Sequence, residues 1–177
     1  MERMPNAMPT TLFEAKPVDP REERRKKLLI WTATAVVLLG LVLAGVWWLW
    51  FQYWPEERAA DKFFASLQAG NMQQAYALWM ADPNWQAHPQ QYARYPFGQF
   101  ENDWGKGGEW GVIRSYKVEG AAPPPKTTYS TGSFVVVVVT VNGRTDKACL
   151  AVQKSDKSLG FSPDSLVRIR TEEFNCK

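Results

Sequence analysis

The sequence predicts an α+β domain carried on a single transmembrane helix, and three observations lead there. Residues 28–51 form an unbroken apolar run, residues 60–79 place apolar side chains at helical spacing, and from Trp110 onward the apolar period falls to two. Helices followed by a run of strands read as α+β.

The apolar run LLIWTATAVVLLGLVLAGVWWLWF contains no charge, Asn, Gln or Pro. At 1.5 Å per residue it reaches roughly 36 Å, enough to cross a hydrocarbon core of about 30 Å with some tilt. No face of it is polar, so a domain of this size has no way to bury all its sides. The run is too long for a signal-peptide core and no small-x-small cleavage site follows it, which predicts an uncleaved signal anchor.

The flanks give the direction. Arg21, Arg24, Arg25, Lys26 and Lys27 precede the span, while Glu56, Glu57, Arg58, Asp61 and Lys62 follow it. The positive-inside rule then puts the N-terminus in the cytoplasm and the domain beyond the inner membrane. Trp47, Trp48, Trp50, Tyr53 and Trp54 form an aromatic belt at the exit side, where rings sit in the acyl boundary and polar tips face the headgroups. Gly40 and Ala44 make a small-xxx-small pair, the pattern of close helix approach and of a homodimer; such pairs are also common in spans that stay single.

Residues 1–27 carry seven Lys/Arg against five Asp/Glu, and residues 55–177 carry fourteen against thirteen. The domain is nearly neutral, so nucleic acid is not an expected partner. The proline-bearing leader before the span reads as a disordered, basic cytoplasmic tail over 1–27. The expected partners are the lipid bilayer and another membrane or envelope protein.

Within the domain (55–177), Pro55 suits the first turn of a helix whose apolar face is Ala60, Phe63, Phe64 and Leu67. Gly70 stops that helix and Asn71 caps the next, with Met72, Ala75, Tyr76 and Trp79 on its apolar face. Phe97, Phe100, Glu101 and Trp104 predict a third short helix ended by Gly105. Strands are predicted over 111–119, 133–141, 146–153 and 159–169, the last interrupted at Pro163. The triple-proline stretch 121–126 must be a loop. The uninterrupted valines of SFVVVVVTV indicate burial on both faces, and Asn142-Gly143 signals a two-residue type I′ hairpin.

The segment ADKFFASLQAGNMQQAYALW (60–79) resembles the opening of nuclear transport factor 2-like domains, in which a first helix ends in a short Gly-Asn or Gly-Asp turn and a second begins with an Ala-Tyr pair. The later order, a third helix then long antiparallel strands, fits as well. The resemblance covers roughly residues 57–170 and is similar to membrane-anchored bacterial members. It implies a cone: a curved sheet wrapped around helices, with a pocket between them. Tyr76, Trp79, Phe97, Phe100, Trp104 and Tyr116, with Tyr92 and Trp110, lie where such a pocket would be lined. They also suit plain core filling.

No catalytic set of that family maps onto this chain. His88 stands alone in a polar loop, and general-base work needs a positioned partner. Asp82, Asp103 and Glu109 are isolated acids. Gly105-Lys106-Gly107-Gly108 lacks the strand and helix of a phosphate loop and reads as a turn. No metal-ligand spacing or cofactor motif occurs. Cys149 and Cys176 are the only cysteines, and an even count in an oxidising compartment predicts a disulfide between them that ties down the polar residues after Ile169. The sequence thus points to a non-catalytic binding or interaction domain, such as an accessory or assembly component of a membrane complex. Two other readings stay open: an enzyme acting on a small apolar ligand in the cone pocket, and a structural subunit recognised through its transmembrane helix. Protease added to intact spheroplasts is expected to remove the domain and spare the N-terminal tail; a protected domain would reverse the orientation.

Overall fold

The structure is a computed structural model that describes residues 20–124, 132–169 and 171–177. The chain divides into two compact units between Leu49 and Trp50.

The first unit holds all but the last two residues of helix α1 (Pro20–Phe51), apolar enough over its central stretch to cross a membrane and with none of that stretch buried in the protein. It starts eight residues before the apolar run. The basic cluster expected in a disordered tail is therefore helical: Pro20 supplies a preset φ at the first position, and Glu22 and Glu23 face the positive end of the helix dipole. The leader over 1–19 lies outside the described residues. On α1, a Cβ added at Gly40 would meet nothing within 4 Å, and Trp47 and Trp48 are exposed.

The second unit opens with α2 (Trp54–Gln68), α3 (Met72–Met80) and α4 (Phe97–Trp104), with a single 3-10 turn (Trp85–Ala87) between the last two. The α2–α3 corner carries both signals read from the sequence. Gly70 adopts φ 74°, its N–H reaches the Leu67 carbonyl, and the Asn71 N–H reaches the Ser66 carbonyl at 2.9 Å. These paired bonds satisfy two of the last carbonyls of α2. The Asn71 side chain then accepts the Gln74 N–H at 3.1 Å and starts α3.

Four strands follow as an antiparallel meander in chain order, β1 (Tyr116–Ala122), β2 (Phe134–Val141), β3 (Lys147–Gln153) and β4 (Leu159–Phe161). A separate hairpin pairs β5 (Leu166–Ile169) with β6 (Glu172–Asn175). The valine run is buried on both sides, as its composition requires. Val135, Val137, Val139 and Val141 join Phe63, Phe64, Trp79, Phe100 and Trp104 in the main core under the helices. Val136 and Val138 face the other way, toward Ala122, Cys149, Val167, Ile169 and Phe174. The sheet is thus the middle layer, with helices on one face and the β5–β6 hairpin on the other.

That second layer was not legible in the sequence, which marks 159–169 as one strand region interrupted at Pro163 and expects the polar residues beyond it to be held only by the Cys149–Cys176 bridge. Instead the chain breaks after Phe161, where Ser162, Pro163 and Asp164 turn it, and β6 pairs Phe174 opposite Val167. A disulfide joins Cys149 to Cys176 with Cα atoms 5.3 Å apart, and Cys176 bridges beside Lys147. Three other boundaries move. Strand β1 begins five residues later than expected, because residues 111–115 form a loop, and it runs on through Ala121 and Ala122. Pro125 and Lys126 of the expected proline loop lie outside the described residues. Asn142 and Gly143 do take the left-handed φ values of a type I′ turn (50° and 69°). The turn is not a two-residue hairpin, because strand pairing resumes only at Thr140 opposite Lys147. Asn142 is diverted: its side chain accepts the Arg114 N–H at 2.8 Å and donates to the Val112 carbonyl at 2.9 Å, tying the turn to the loop before β1.

The disulfide closes a separation of 27 residues. Reduction, or Cys176→Ser, is expected to lower the free energy of unfolding by about 3–4 kcal/mol in the chain-entropy description, read by urea titration; an unchanged midpoint would contradict it.

Candidate functional site

The six aromatics expected to line a pocket are brought together, and other rings occupy the space between them. Phe63 lies at the centre, with ring centroids 5.0 Å from Trp104, 5.3 Å from Trp79 and 6.1 Å from Phe100. Tyr76 meets Phe100 at 5.2 Å and Phe97 at 5.4 Å, and Phe64 stacks on Tyr116 at 5.6 Å. Edge-to-face pairs at these spacings are ordinary core packing. Of the six, Trp104 lines one of the three clefts considered below.

The phenols at the margin of this cluster are engaged. Tyr76 donates to the Tyr95 carbonyl at 2.7 Å, Tyr95 to Asp103 at 2.8 Å and Tyr116 to Asp61 at 2.9 Å. Burial, then the hydrogen bond to Asp61, pushes the Tyr116 hydroxyl up to about 12. Burial raises Tyr76, and burial with Asp103 raises Tyr95 further. Phenols held this way stay protonated and serve as structural donors.

His88 is not solitary, contrary to the sequence reading. Its Nδ1 lies 3.1 Å from Asp82 Oδ2, which also accepts the Tyr92 hydroxyl at 2.8 Å, while Asp82 Oδ1 accepts the Asn84 N–H at 2.8 Å. These bonds, the one to His88 foremost, hold the Asp82 carboxyl below its usual value. A His–carboxylate pair is half of an acid–base unit. Here both oxygens of the carboxylate are committed, the imidazole is 54% exposed, and none of the described clefts includes either residue. The arrangement fastens the loop between α3 and α4. No periodicity links positions 82, 88 and 92, so only the Asp-Pro-Asn turn signal hinted at it.

Three clefts are described. One of about 400 Å³ lies beside α4 and is lined by Asp103, Trp104, Glu109, Trp110 and Phe161, among others. The glycine-rich turn forms part of its wall; a Cβ at Gly108 would lie 2.0 Å from the Asp103 carbonyl oxygen, so close approach explains that glycine. A second, of about 440 Å³, opens beside Arg114 and Asn142. The third, of about 450 Å³, runs between α2 and α3 and combines Arg58, Lys62 and Lys157 with an apolar wall that includes Ala59, Ala77 and Leu78. Lys157 is already paired there, donating to Glu56 Oε1 at 2.8 Å; that carboxylate is buried, and its other oxygen has no partner among the described residues.

On the hairpin face of the sheet, β1 bulges between Val118 and Gly120. Glu119 takes bonds from Lys117 and from the Thr140 hydroxyl, each at 2.6 Å, and Thr140 in turn accepts Lys147 at 2.8 Å. Lys117, then Thr140, holds the Glu119 carboxyl below its usual range. Among the described residues no three His, Cys, Asp or Glu side chains gather as a metal-binding group. No protein-family model, curated protein or solved structure matches the chain.

Depressed carboxyls contribute stability above their unfolded values, about 3.9 for Asp and 4.3 for Glu, and lose it as pH falls through their lower folded values. The thermal midpoint is therefore expected to fall as pH drops below about 4. Asp82→Asn with Glu119→Gln should start lower at neutral pH and show a shallower acid limb; an identical limb would exclude these two groups as its source.

Proposed function

We propose that this chain is a membrane-anchored, non-catalytic binding domain on the outer face of the inner membrane, serving as an accessory or assembly component of a membrane complex. The observation that carries the reading is the union, in one chain, of the long apolar helix α1 with a downstream domain clasped by a disulfide. A helix apolar all round needs lipid or a large protein interior, and a structural disulfide belongs to an oxidising compartment. Each supports the same topology independently, and the basic residues before the span agree with it.

The non-catalytic part rests on how the polar groups are spent. The phenols of Tyr76, Tyr95 and Tyr116 and the carboxylate of Asp82 are tied into bonds that hold loops and helices, while Phe63 and its neighbours occupy the interior that an enzyme of the cone type would keep open. Three helices on one face of an antiparallel meander also suit the nuclear transport factor 2-like cone, which we adopt as the fold family of the domain. The hairpin on the opposite face is an addition to that plan.

The test is recovery of partners from native membranes. The tagged full chain, cross-linked in place and purified in mild detergent, should bring down one envelope protein in near-equal amount. A chain carrying Gly40→Leu and Ala44→Leu should keep that partner. Loss of the partner from this variant would make α1 the recognised element, and recovery of the chain alone would overturn the assembly reading.

A further inference from the structure

We propose that the groove between α2 and α3 holds the headgroup of an anionic phospholipid from the bilayer that anchors the chain. The phosphate would sit between Arg58 and Lys62, with the glycerol and first acyl carbons against Ala59, Ala77 and Leu78. This rests on the membrane-anchored reading above and adds a ligand to it.

The groove has the size of a small-molecule site, about 450 Å³, and the mixed lining such sites share: an apolar wall with a few polar groups at one end. Its charges are unevenly satisfied. Lys157 is neutralised by the buried Glu56, and Asp156 accepts the Ser158 N–H and hydroxyl at 3.0 and 2.9 Å. Arg58 and Lys62, both exposed, have no carboxylate within 4 Å among the described residues. They stand one turn apart on α2, and like charges at that spacing repel. A phosphate between them removes the repulsion through charge-assisted bonds, which Arg supplies in a planar fork.

The occupant is a lipid rather than a free anion for two reasons. The Arg58 guanidinium lies over the ring of Trp54 at 4.0 Å, so the cationic end of the groove is stacked on a residue of the aromatic belt, the layer where headgroups lie. Pro55, on the groove wall, also follows Phe51, the end of α1, by only four residues, which limits the separation to about 14 Å.

The full chain, purified in a neutral detergent, is titrated with dihexanoyl phosphatidylglycerol, dihexanoyl phosphatidylcholine, inorganic phosphate and a polyglutamate peptide, and bound species are counted by native mass spectrometry. The glycerol lipid should saturate at one per chain and bind more tightly than the other three. Arg58→Gln with Lys62→Gln should weaken it about tenfold or more, whereas Lys106→Gln with Lys154→Gln should not; near-UV circular dichroism checks that both variants fold. Equal binding of the choline lipid, tighter binding of phosphate or polyglutamate, or indifference to the Arg58 and Lys62 changes would each overturn the proposal. Alkaline washing of the source membranes separates the two levels: a chain that stays in the pellet but binds no lipid in the groove leaves the anchor intact and removes only the ligand.

Discussion

Two-sided burial of β2 is the constraint on which the rest of the domain depends. Five consecutive valines, with Val141 beyond them, are fully shielded from water, and side chains alternate across a strand, so one layer of cover is never enough. The aromatic helices supply the first layer. The β5–β6 hairpin supplies the second with few apolar residues of its own, and the link from Cys149 in β3 to Cys176 fastens it there. Thr140 interrupts the valines at the one position where that second layer gives way to charge. Its hydroxyl joins Glu119 and Lys147 across three strands.

What the sequence made visible follows the same physics. Segments whose pattern is local and strong could be read directly: the uncharged run of α1, the Gly70-Asn71 corner, α4 and the valine strand. The β5–β6 hairpin could not, because each strand spans four residues and contributes one or two inward apolar side chains, Val167, Ile169 and Phe174. Residues 20–27 hid their helical state because charge at a helix start looks like charge in a tail. The width of the turn after β2 depends on Asn142 bonding to a loop some thirty residues earlier, which no local rule encodes.

The same division runs through the candidate sites. The sequence grouped Tyr76, Trp79, Phe97, Phe100, Trp104 and Tyr116 through the resemblance; helical spacing alone relates only Tyr76 to Trp79, and Phe97 to Phe100 and Trp104. It had no means to say whether the middle of that group was empty or held Phe63. The groove between α2 and α3 was invisible for the opposite reason. Its walls come from two helices and from a turn at Asp156 and Lys157, about a hundred residues along the chain from Glu56. Its exposed cations look like any solvated helix surface until the neighbours are in place.

The valine strand has a consequence for how the protein is made. A segment reading FVVVVVTV, with no charge and no proline, is the composition of a steric zipper when it meets a copy of itself. Its native neighbours are the strands immediately before and after it in the chain. Both can pair with it by short loop closure, which is fast compared with encounters between molecules. β1 is synthesised ahead of β2, and β3 follows, so the meander order itself serves as the safeguard against aggregation while the chain emerges.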